Sequence, residues 1–181
     1  MPHLPGCMII PTGMGGTDKP GHDRSHKDVR AGMAELWFYH LERASVDEAL
    51  PELLTKLLHR GGRAVVCSAE GTRLSHLDNH LWTFREDSFL PHGRADAAQA
   101  ADQPILLSET PENANAASML FCLDGADPGD VSAWERVVVM FEASDETSVA
   151  RARALWAAQK KTEIPISYWR QNEMGRWERK A

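Results

Sequence analysis

Short, nearly unbroken apolar runs constrain this chain more than any other feature: RAVVCS at 63–68, PILLSE at 104–109, SMLFCLD at 118–124 and RVVVMFE at 136–142. A strand with one wet face alternates apolar and polar residues. Runs without alternation belong to strands covered on both faces, which is the condition of a parallel sheet whose crossover helices pack above and below it. The segments between the runs fit that arrangement. ELWFYHL (35–41) reads as a first strand, followed by Ser45 as a helix cap, the helical stretch LPELLTKLL, and Gly61 with Gly62 as its stop. After RAVVCS the leucines 74, 77 and 81 recur at helical spacing from about Glu70 to Trp82. Two strand–helix units in succession predict a parallel sheet.

A last helix is expected over about 146–161, followed by the strand-like ISYWRQ (166–171) and a tail, GRWERKA. Residues 83–103 read as an irregular loop. The expected fold is α/β: one doubly wound, mostly parallel sheet resembling nucleotide-binding folds, with a C-terminal strand or extension packed on it. Residues 1–32 carry Pro2, Pro5, Pro11 and Pro20 and six glycines with no helical or strand period. They are expected to form a disordered extension ahead of a domain spanning 33–181.

The usual chemistry of such a sheet is missing from the sequence. Gly16 and Gly21 have phosphate-loop spacing, but His22 and Asp23 follow where Lys and Ser or Thr are needed. Gly13 and Gly15 begin a dinucleotide fingerprint that fails at Asp18. His76 and His80 stand four apart, as two zinc ligands would, yet Leu77 occupies the place of the catalytic Glu; they are expected to be exposed surface residues. Asp87, Ser88 and His92 share a loop without a nucleophile elbow. Cys7, Cys67 and Cys122 are odd in number and widely spaced, and are expected to be reduced, with Cys67 and Cys122 buried. No catalytic site, metal site or cofactor is expected. No apolar run reaches the roughly 18 residues of a membrane span, and the N-terminus has no secretory pattern, so a cytoplasmic protein is expected.

Net charge is −6, which gives no reason for the chain to wrap a phosphate backbone. From Ser144 onward, however, eight Lys and Arg face five acidic residues, a basic end that suits an acidic peptide. On the last helix Val149, Ala152 and Trp156 form an apolar stripe with Arg153 beside it. A guanidinium next to an aromatic ring is a carboxylate clamp: a planar fork of donors over an apolar floor. Trp82 lies at the rim of the second helix's leucine stripe, and Phe89, Leu90 and Pro91 follow in a stretch where polar residues would be ordinary.

LDNHLWTF, DSFLPHG, FYHL near the start, the RARALW helix and the ending YWRQNEMGRWERKA together resemble the chi subunit family of the bacterial DNA polymerase III holoenzyme. The resemblance covers about Glu35 to Ala181. It implies a non-catalytic accessory subunit of the clamp-loader assembly that grips the acidic C-terminal tail of single-stranded DNA-binding protein, which ends in an aromatic residue and a free carboxylate. Such a subunit meets DNA only indirectly. By this resemblance Arg153 and Trp156 hold the tail. Val149 and Ala157 fall where better-known members carry lysines, which implies either weaker tail binding or the use of Arg151 and Lys160 instead. Trp82, Phe89, Leu90 and Pro91 match the family's surface for a second partner, the psi subunit or a repair helicase, with Pro91 and His92 fixing its shape. The competing reading is a nucleotide- or metal-dependent α/β enzyme.

Overall fold

In a computed structural model, residues 34–172 and 174–181 are described; the expected extension, its boundary with the domain, Cys7 and the glycine motifs of residues 13–21 lie outside them. Among the described residues eight strands and three α-helices follow in order, with two short 3-10 turns between them: β1 (Glu35–Leu41), α1 (Val46–His59), β2 (Ala64–Cys67), α2 (Gly71–Thr83), β3 (His92–Arg94), β4 (Ile105–Ser108), β5 (Met119–Cys122), β6 (Arg136–Glu142), α3 (Glu146–Gln159), β7 (Ile166–Gln171) and β8 (Trp177–Arg179). The strands form one sheet in the order β3-β4-β2-β5-β6-β1-β7-β8. Every pairing is parallel except the β7–β8 hairpin. This is the expected mostly parallel α/β sheet. The stretch read as an irregular loop contains β3, and the tail contains β8.

The α1 start is a capping box: Ser45 Oγ accepts from the Glu48 amide at 3.3 Å and Glu48 Oε2 accepts from the Ser45 amide at 2.8 Å. Its stop comes at Gly61, whose φ of 72° suits a residue without a Cβ. Alternation along β1 divides the protein into two cores. Tyr39 and Leu41 face one way, packing with Leu50 and Leu54 of α1 and with Leu74, Leu77 and Leu81 of α2. Leu36 and Phe38 face the other way, with Val137, Val139 and Phe141 of β6 and Ala152 of α3. Helices therefore cover both faces, which is why β2 and β4 are buried at every residue. Cys67 and Cys122 oppose each other across β2 and β5 as buried free thiols. Burial pushes the Cys67 thiol up to about 11 and raises the Cys122 thiol well above its ordinary value, so both stay protonated at neutral pH.

The carboxyl ends of β2 and β5, where such sheets commonly hold a ligand, are bridged by charged side chains. Arg73 Nη2 lies 2.7 Å from Asp47 Oδ1, and Arg73 Nε donates to Asp124 Oδ2 at 3.2 Å. The Ser68 hydroxyl donates to the same Asp124 oxygen at 3.1 Å. Burial alone would raise the Asp47 carboxyl, but the hydrogen bonds and charges of Arg73 and His76 outweigh it and hold the group below its ordinary value.

Candidate functional site: a groove under the last helix

Helix α3 begins at Asp145, whose side-chain oxygen accepts from the amides of Thr147 and Ser148. Its inner face is narrow: Ser148 and Ala152 are buried, while Val149, Leu155 and Trp156 are half-buried against the sheet. Beside the small Ala152, the helix leaves open space above Phe38 and His40 of β1, Phe141 of β6 and Tyr168 of β7. A half-open groove of about 370 Å³ remains, with Phe38 and Phe141 in its floor, Trp156 and Tyr168 at its sides, and Arg153 on its helix wall. The rings pack edge to face: Phe38 and Trp156 have centroids 5.2 Å apart, and Trp156 and Tyr168 stand at 85° to each other. Arg153 is exposed. Lys160 Nζ lies 5.5 Å from the Trp156 ring centroid, within cation–π range.

Of the four residues expected to hold a tail, Arg153, Trp156 and Lys160 gather around this groove. Arg151 does not. Two residues from Arg153 on a helix, it points to the other side, donates to the Gly125 carbonyl at 3.3 Å and lines a separate groove beside Ala126 and Pro128. Sequence reading missed His40 and Tyr168. His40 Nδ1 lies 2.6 Å from the Tyr168 hydroxyl, and its ring stacks on Phe141 at 4.9 Å. The signal was present in the period-2 pattern of β1, which puts His40 on the same face as Leu36 and Phe38. The β1–β7 register that delivers Tyr168 beside it is not visible from either strand alone.

The second expected surface divides. Trp82 and Phe89 are 52% and 66% exposed, with centroids 5.5 Å apart. Leu90 is 1% exposed and packs with Leu77 and Leu81 in the core, so it is not available to a partner; β3 begins two residues later and draws the chain inward. Pro91 is half-buried. The His92 ring backs Trp82 at 4.7 Å, and its two nitrogens lie 2.7 Å from the Leu90 carbonyl and 3.1 Å from the Asp78 carbonyl. That engagement ties the loop to α2.

His76 and His80 are a brace between helices. Pro51 lies inside α1 and has no N–H to offer the Asp47 carbonyl one turn earlier; His80 Nε2 lies 2.9 Å from that oxygen instead. His76 Nε2 lies 2.8 Å from the Asp47 carboxylate. The expected exposure holds for His76, while His80 is half-buried. Among the described residues no group of three His, Cys, Asp or Glu is placed to hold a metal ion, and no helix is long and apolar enough to cross a membrane.

A probable DNA polymerase III subunit chi of Rickettsia prowazekii is 24% identical over 110 residues, covering 61% of this chain and 67% of that protein. The DNA polymerase III subunit chi of Pseudomonas aeruginosa is 30% identical over 108 residues, covering 58% of this chain and 75% of the relative. Among solved structures, the S. cerevisiae Dbp5 C-terminal domain aligns over 75% of this chain and 90% of its own at 16% identity with a TM-score of 0.48. Residues 33–167 match the family described as DNA polymerase III chi subunit. The chain belongs to that family, and is thereby a replication accessory subunit with its place in the DNA polymerase III complex.

Proposed function

We propose that this chain is a non-catalytic adaptor that grips the acidic C-terminal tail of single-stranded DNA-binding protein in the α3 groove and links it to the clamp-loader assembly. The observation that carries the reading is the groove itself: an apolar, aromatic-walled cleft with an exposed guanidinium on its rim. A chain terminus ending in an aromatic residue has the matching parts, a ring for the cleft and a carboxylate for the fork. Lys160 over Trp156 adds a second cation. Val149 and Ala157, where better-known members carry lysines, contribute none, so Arg153 carries more of the attraction here. Arg151 plays no part in this groove.

The Trp82–Phe89 pair is the proposed site for the second partner, the psi subunit or a repair helicase. In this reading DNA is reached only through single-stranded DNA-binding protein, and the work is done in the cytoplasm without a cofactor or a reaction. The test is fluorescence anisotropy with a labelled Asp-rich peptide ending in Phe. Arg153→Ala should weaken it by about 10-fold to 150-fold, as loss of a charged hydrogen bond does, and Arg153→Lys should recover part of the loss. Amidating the peptide's terminus should have a similar effect on the wild type and little on Arg153→Ala. Equal affinities for the wild type and Arg153→Ala would sink the proposed site.

A further inference from the structure

His40 lines the Arg153 groove, and the tail contact just described makes no use of it. One ring nitrogen is engaged, Nδ1 with the Tyr168 hydroxyl at 2.6 Å. The other, Nε2, is buried and finds no hydrogen-bond partner among the described residues. A buried polar atom without a partner is costly, and a ligand that supplies one recovers the cost. The surroundings are charged from three sides. Arg153 comes from α3, Tyr168 and Arg170 from β7, and Glu42, paired with Arg170, from just past β1; β6 presents the Phe141 ring, and the terminal residue Ala181, whose main-chain oxygen accepts from the Tyr168 amide at 2.9 Å, lines the same groove. In the free protein burial first, then Arg170 and Arg153, hold the imidazole below its ordinary value, and Glu42 offsets part of this. His40 is therefore mostly neutral at pH 7; Arg170 is paired with Glu42, so Arg153 is the cation beside it whose charge a bound anion would counterbalance.

We propose that His40 is a proton-linked specificity residue of this groove: it takes up a proton from solvent when an acidic chain terminus docks beside Arg153, and the imidazolium donates from Nε2 to a carboxylate of the ligand. The inference rests on the tail-binding reading. Its sign follows from linkage. A ligand that raises the imidazole pKa binds more tightly as the pH falls through the bound-state value, and the gain levels off below the free-state value. The Tyr168 hydroxyl can donate to the neutral ring or accept from the charged one, so it holds the ring in both states.

The experiment is an anisotropy titration of the Asp-rich, Phe-ended peptide from about pH 8 to about pH 5.5, a range in which the peptide's carboxylates stay ionised. The wild type should tighten by about 5-fold to 10-fold toward the acid end, the difference between a neutral and a charged hydrogen bond. His40→Gln, which cannot take up a proton, should bind with nearly constant affinity. In the wild type the His40 ring signal followed by NMR should titrate at a higher pH with the peptide than without it, a readout that needs no variant. A flat profile, an equal slope in His40→Gln, or an unmoved ring titration, each with Arg153→Ala still weakened, would overturn the inference and leave the tail reading standing. Peptide binding that ignores Arg153 would remove both.

Discussion

The α3 groove and the Trp82–Phe89 patch are both aromatic, yet they suit different ligands. The groove is concave, its rings stand edge to face around an open cleft, and cations flank it. It is where the proposal seats the end of a chain. The patch is exposed: its two rings lean on each other, Trp82 also rests on the buried His92, and Arg85 in the same segment is engaged with Glu52 on α1. It is proposed for a second apolar surface, in the manner of an anchor pair surrounded by contacts that exclude water. Aromatic content alone therefore does not identify a ligand; enclosure and the availability of charge are what separate the two surfaces.

The largest effect that would sharpen this comparison lies inside the patch segment. Leu90→Ala should destabilise the fold by about 2–5 kcal/mol, since it empties a fully buried site, while the adjacent Phe89→Ala should stay within about 0.5 kcal/mol. Chemical denaturation reads both, and equal costs would show that the segment is all core or all surface. Next, Trp82→Ala or Phe89→Ala should cost about 2 kcal/mol of affinity for the second partner with tail-peptide binding unchanged. Loss of tail binding in either variant would merge the two surfaces into one.

Asp47→Asn should leave both surfaces intact and lower stability by about 1–3 kcal/mol, because Arg73 and His76 lose their shared carboxylate. Asp47 is held below its ordinary 3.8, so its contribution is present above that value and is lost as the pH falls below it. Wild type and variant should converge in thermal melts at such acid pH; a constant gap would assign the effect to packing. The smallest expected effect is that of Arg151→Ala, less than about 2-fold on tail affinity through long-range charge alone.

Much of this was legible because it is local. The capping box of α1, the glycine stop and the unbroken apolar runs are written within a few residues of the structure they specify. The strands β3 and β8 were not legible: HGR and WER are three residues each, mostly polar, and form only where an edge strand offers a partner. Leu90 and Phe89 are apolar neighbours, and only β3 decides which of them turns inward. Arg153 could be chosen from its position beside an apolar stripe, and the helical wheel would also have separated it from Arg151. His40 needed the β1–β7 register, a pairing across more than a hundred residues, before its place beside Arg170 and Tyr168 could be seen. His80 needed Pro51, whose missing amide it replaces on another helix.

The central claim, that an acidic chain end belongs in the groove and not on the patch, is tested most directly by the tryptophan side-chain spectrum. The chain has six tryptophans, and Trp156 and Trp82 report the two surfaces separately. On titration with the Asp-rich, Phe-ended peptide, the indole N–H signal of Trp156 should shift progressively to saturation while that of Trp82 stays in place. A shift of Trp82 with Trp156 unmoved would contradict the account.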